Sequence, residues 1–105
     1  MRTADLPRLE RFYADVLGLQ VIRRDPARGS VWLDAGGVVL MLERAAAGEA
    51  APAPGTQELL AFALDDPGAR PAWLARLPIE AQTEHTLYFR DPDGRRVALS
   101  TYPLR

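Results

Sequence analysis

The chain contains no cysteine, and its 13 basic residues are all arginine, so lysine is absent as well. Without cysteine there are no disulfides, no thiolate metal sites and no sulfur nucleophile. Without lysine there is no Schiff-base chemistry and no lysine general base. Histidine is scarce: His85 stands alone. Long apolar runs are missing too. The stretch from Val38 to Leu42 is among the longest, and a bilayer span needs about 20 residues. Charge begins at Arg2 and no apolar stretch of the signal-peptide kind follows, so the chain reads as cytoplasmic. The net charge is -1 and no basic stripe stands out. Neither nucleic acid nor a membrane surface is therefore expected as a partner.

What is present is ordinary for a globular chain. Its 105 residues are 48% hydrophobic and 26% charged, which suits one domain with a modest core. Asp5 is placed as an N-cap with Pro7 in the first turn, and Leu6, Leu9, Phe12, Tyr13, Val16 and Leu17 recur at helical spacing up to Gly18. Strands are expected over 19–24, 30–34 and 38–43, with turns at Asp25–Gly29 and at Gly36-Gly37. Residues 44–57 are rich in alanine, proline and glycine and read as a linker, a short helix through the alanines being the alternative. Beyond it the order recurs. A strand is expected over 58–64, then a short helix capped by Asp66 and ended by Pro78. A short edge strand over 79–82 precedes a hairpin of 86–90 and 95–101. The hairpin turn, Asp91-Pro92-Asp93-Gly94, has proline and glycine where a type I turn prefers them.

Two segments carry a family resemblance. Asp5-Leu6, followed by Phe12-Tyr13 and Leu17-Gly18-Leu19, is similar to the first helix of the vicinal oxygen chelate superfamily. Phe89-Arg90-Asp91-Pro92-Asp93-Gly94 resembles the hairpin near that family's C-terminus, and 58–66 resembles the strand opening its second module. The superfamily includes glyoxalase I, extradiol dioxygenases, methylmalonyl-CoA epimerase, fosfomycin-modifying thiol transferases and bleomycin-binding resistance proteins. The resemblance implies an α+β fold of paired βαβββ modules curling into a mixed-sheet cleft, often completed in a homodimer. Module one would span 1–43 and lack most of its first strand, with module two at 58–105.

The same resemblance implies where a divalent metal would be held, by His, Gln or Glu from cleft-facing strands. The first ligand position falls upstream of Met1, where a longer native chain would have to supply it. The others fall near Met41, at Leu59 and at Ala98. None of these is a hard donor, so no metal and no cofactor are expected. Glu43 shares a strand face with Met41 and could act as a displaced ligand, though a solvated strand-end glutamate is the plainer reading. His85 is either a surface residue at the hairpin edge or a polar contact for a ligand. Asp91 and Asp93 read as turn chemistry, and Ser30 and Ser100 lack a paired histidine.

If Ala98 faces the cleft, strand period places Arg96, Ser100 and Tyr102 beside it. With Met41, Glu43, Leu59 and Ala61 they outline an apolar floor with few polar groups. Arg96 suits an anionic ligand group. Three readings follow: a metal-free protein that sequesters a small molecule, a divalent-metal lyase or isomerase of the glyoxalase type, and a regulatory module that has lost its ligand.

Overall fold

The structure, a computed structural model, describes residues 1–50 and 59–101. The chain divides into two compact units, Met1–Pro52 and Ala53–Arg105. Each holds one helical segment and one four-stranded mixed sheet, the α+β plan expected from the sequence.

In the first unit β1 (Arg2–Thr3) is a two-residue strand leading to α1 (Leu6–Arg11). Asp5 caps the helix as expected: its Oδ1 accepts from the Arg8 amide at 3.1 Å. The helix does not stay α-helical to Gly18. From Phe12 to Val16 it widens into a π-helical turn, in which the Leu17 amide donates to the Phe12 carbonyl at 3.0 Å. Phe12 and Tyr13 meet edge to face at 5.2 Å within that turn. Strands β2 (Gln20–Asp25), β3 (Ser30–Asp34) and β4 (Val39–Arg44) follow, and the sheet order is β1-β4-β3-β2, with β1 parallel to β4. Leu9 and Tyr13 on the helical segment pack the same core as Val31, Leu33 and Leu42, all buried. The alanine run after β4 forms a turn, not a helix. Residues 51–57 of the expected linker lie outside the described residues.

The second unit opens with β5 (Leu59–Ala63); Glu58, expected to begin it, lies outside the described residues. A 3₁₀ turn at Pro67–Ala69 leads into α2 (Arg70–Arg76). Asp66 caps that turn, accepting from the Gly68 amide at 2.9 Å, and Pro71 sits in the first turn of α2, where its missing N–H is harmless. Then come β6 (Ala81–Gln82), β7 (Thr86–Arg90) and β8 (Arg96–Ser100), in the sheet order β5-β8-β7-β6. Odd-numbered residues of β7 and β8 (Leu87, Phe89, Val97, Leu99) form the buried face, joined by Leu77. The parallel pairing of β5 with β8 joins strands on opposite sides of α2 in sequence.

Candidate ligand-binding face

Even-numbered residues of β7 and β8 lie on the opposite sheet face from Leu87, Phe89, Val97 and Leu99, and the odd-numbered residues of β5 extend that face. Register sets them in rows: Leu59 beside Arg96 beside Arg90, Ala61 beside Ala98 beside Tyr88, and Ala63 beside Ser100 beside Thr86. Five residues singled out in the sequence, Leu59, Ala61, Arg96, Ala98 and Ser100, thus fall on two adjacent strands. Leu59 is 45% exposed, whereas Ala98 is fully buried and offers a ligand no surface of its own.

The two ends of the face differ in chemistry. At one end the hydroxyls of Thr86 and Ser100 lie 2.9 Å apart. At the other, Arg90 grips Glu80 through Nε at 3.1 Å and also donates to the Gly94 carbonyl at 3.2 Å. Arg96 lies over the Tyr88 ring, its Cζ 4.3 Å from the centroid. Its buried Nε has no hydrogen-bond partner; Glu80 Oε2, at 3.7 Å, is too distant to serve. Tyr88 and Arg90 entered the sequence reading only as part of the hairpin motif, and neither they nor Glu80 were expected as site residues. The hairpin turn fixes the β7–β8 register, so the pairing of Arg90 with Arg96 was within reach of that reading.

The remaining candidates belong to other elements. Met41 and Glu43 share one face of β4 in the first unit, in register with Trp32 and Ser30. Glu43 lies 3.9 Å from Arg2. His85 sits just before β7 with Nε2 3.8 Å from Glu84, and its carbonyl accepts from the Thr101 amide at 2.8 Å. Tyr102 lies outside the described residues. Asp91 closes the hairpin: its Oδ1 accepts from the amides of Asp93 and Arg95, both at 2.9 Å. Arg95 bridges Asp91 and Asp93 at 3.2 and 2.8 Å. Burial pulls the Arg95 pKa down, but the hydrogen bonds to Asp93 and Asp91 outweigh it, and the net direction is upward.

A cavity of about 440 Å³ lies in the first unit, lined by Leu6, Glu10, Arg11, Arg24 and Ser30 among others. Met41 and Glu43 do not line it. Within it Arg24 reaches Glu10 at 3.1 Å, and that hydrogen bond raises the Arg24 pKa.

Among the described residues no three of His, Cys, Asp and Glu converge as a metal site. No helix among them is long and apolar enough to cross a membrane.

Comparison with known proteins places this arrangement. The family model described as Glyoxalase/Bleomycin resistance protein/Dioxygenase superfamily matches residues 1–99. A lactoylglutathione lyase structure from Agrobacterium tumefaciens is 27% identical, with a TM-score of 0.70 over 94% of this chain and 86% of the other. The fosfomycin resistance protein FosX from Mesorhizobium loti is 16% identical, with a TM-score of 0.80 over 99% and 88%. An integron cassette protein from a Halifax Harbour sewage outfall metagenome is 17% identical, with a TM-score of 0.77 over 97% and 93%. At 16% and 17% identity these last two establish the fold alone. Comparison with curated proteins returned no match.

Proposed function

Because the chain belongs to the glyoxalase/bleomycin resistance protein/dioxygenase superfamily, we propose that it is a metal-independent protein that binds and sequesters a small molecule. The observation that carries this reading is the donor chemistry of the second unit's sheet face. A chelated divalent metal asks for imidazole or carboxylate donors. The positions that the family resemblance marks for them hold Leu59 and Ala98, whose side chains are hydrocarbon, and Ala98 is buried. The residues present do not suit the metal. What the face does present is exposed Leu59 and Ala61, a tyrosine ring, a hydroxyl pair and a guanidinium. Apolar surface with a few oriented polar groups is the usual make-up of a small-molecule site. The protein is proposed to act as a homodimer.

A second reading, a divalent-metal lyase or isomerase, is favoured by the 27% identity to the lactoylglutathione lyase structure. It would draw on Glu43, His85 or a partner subunit for its ligands.

Metal analysis separates the two readings. Protein purified without chelator is expected to carry far less than one equivalent of transition metal, and near-stoichiometric tight metal would overturn the proposal. A thermal-shift screen of chemically diverse small molecules tests sequestration itself, because a ligand that binds only the folded state raises the melting temperature by mass action. Silence across the whole screen would sink it and favour a regulatory module.

A further inference from the structure

The ligand-binding face of the second unit holds more positive charge than its own carboxylate offsets. Arg90 and Arg96 stand directly opposite each other on β7 and β8. Like charges in that position repel. Glu80 is the carboxylate beside them, and Arg90 occupies it, with Nε 3.1 Å from Oε2 and Nη2 donating to Oε1 at 3.2 Å. The Arg96 side chain makes no hydrogen bond among the described residues: its buried Nε lies 3.7 Å from Glu80 Oε2, within ion-pair range but beyond hydrogen-bond reach. The Nε is closed off from solvent, but the side chain as a whole is 35% exposed, so part of it stays open to a ligand on this face. Stacking over Tyr88 at 4.3 Å orients the guanidinium while using none of its N–H groups. Exposed Leu59 lies beside it in register, and Ala61 lies one row further along the same strand face.

We infer that Arg96, held against Tyr88 and next to Arg90, is the anchor for the carboxylate of a small organic acid whose apolar body lies along Leu59 and Ala61. The inference rests on the proposed ligand-binding role of this face and names its ligand class. Among the described residues two guanidiniums less one carboxylate leave a single positive charge, which a monoanion neutralises. The planar fork of a guanidinium matches the two oxygens of a carboxylate, and the neighbouring hydrocarbon surface suits an aryl or alkyl body.

The test is calorimetric titration of the intact protein with hydrocinnamate and with its neutral amide, which share a body and differ in charge. The acid is expected to bind about ten-fold more tightly or better, a difference of about 1.4 kcal/mol. Arg96→Met should abolish that preference, while Arg96→Lys, which keeps charge but loses the fork, should retain part of it. Equal affinity for acid and amide would overturn the carboxylate assignment and leave sequestration standing. Failure of the acid to bind would also overturn it, and the response of the wider thermal-shift screen then decides the sequestering role separately. Preference for the acid that survives intact in a folded Arg96→Met protein would move the anchor elsewhere. Should Arg96→Met fail to fold, the wild-type comparison and Arg96→Lys decide.

Discussion

Asp91 shows how much one buried carboxylate can hold together. It is 4% exposed, and its Oδ1 accepts from the Asp93 and Arg95 amides while its Oδ2 meets the Arg95 guanidinium at 3.2 Å. Removing it strands three donors in a half-buried turn. Asp91→Ala is expected to destabilise the protein by about 2–3 kcal/mol, and Asp91→Asn, which keeps one acceptor oxygen, by about 1 kcal/mol. Urea denaturation checks both, and a loss below half a kilocalorie for the alanine variant would contradict the turn's role. The pH behaviour follows from Arg95. Its pKa is raised in the folded protein, so the stability it contributes is fully present below its unfolded pKa and is lost only as pH climbs through the higher folded value. Guanidinium stays protonated through the neutral and mildly alkaline range. The Asp91→Ala deficit should therefore be the same at pH 7 and pH 9.

At the scale of elements, two turn glycines invite a comparison. Gly94 closes the Asp91–Gly94 turn at φ 87, and Gly29 ends the β2–β3 turn at φ 67. Both lie in the left-handed region, where an alanine costs about 1 kcal/mol. A Cβ at Gly94 would meet open space, whereas one at Gly29 would sit 2.9 Å from Arg44 Cβ and the same distance from its Cζ. Gly29→Ala is thus expected to cost about 1–3 kcal/mol more than Gly94→Ala, because Arg44 must move as well. Equal melting temperatures for the two variants would refute the close approach at Gly29. These turns also mark what sequence could supply. The helix cap at Asp5, the turn at Asp91–Gly94 and the antiparallel hairpin rest on contacts a few residues apart, and all were legible. The π-helical turn at Phe12–Val16 was not, because the apolar stripe reads the same for either helix. The β5–β8 pairing lies across α2 and leaves no local signal. Glu80, which balances Arg90, sits just ahead of a two-residue edge strand, and nothing in its own neighbourhood in sequence predicts the partner.

At the scale of the whole molecule, the feature still to be accounted for is apolar surface on the first unit. Ile22, Val38 and Val39 are 52%, 68% and 55% exposed, and Met41 is 36% exposed. Beside β4, the only strand on its outer edge among the described residues is β1, which pairs through Glu43 and Arg44. Val38 and Val39 stand together at the start of β4, and exposed apolar side chains grouped in this way mark contact surfaces for another chain. A net charge of -1 gives two copies little reason to repel. These observations support the proposed homodimer, with this surface of the first unit in its interface. Sedimentation equilibrium at micromolar concentration should return about 23 kDa, twice the chain mass of 11.6 kDa. Val39→Asp, which sets a charge on that surface without touching the buried core, should shift the mass to that of one chain and leave the circular dichroism spectrum unchanged. A wild-type mass of one chain would remove the dimer, and a Val39→Asp protein that stays dimeric would move the interface to another surface.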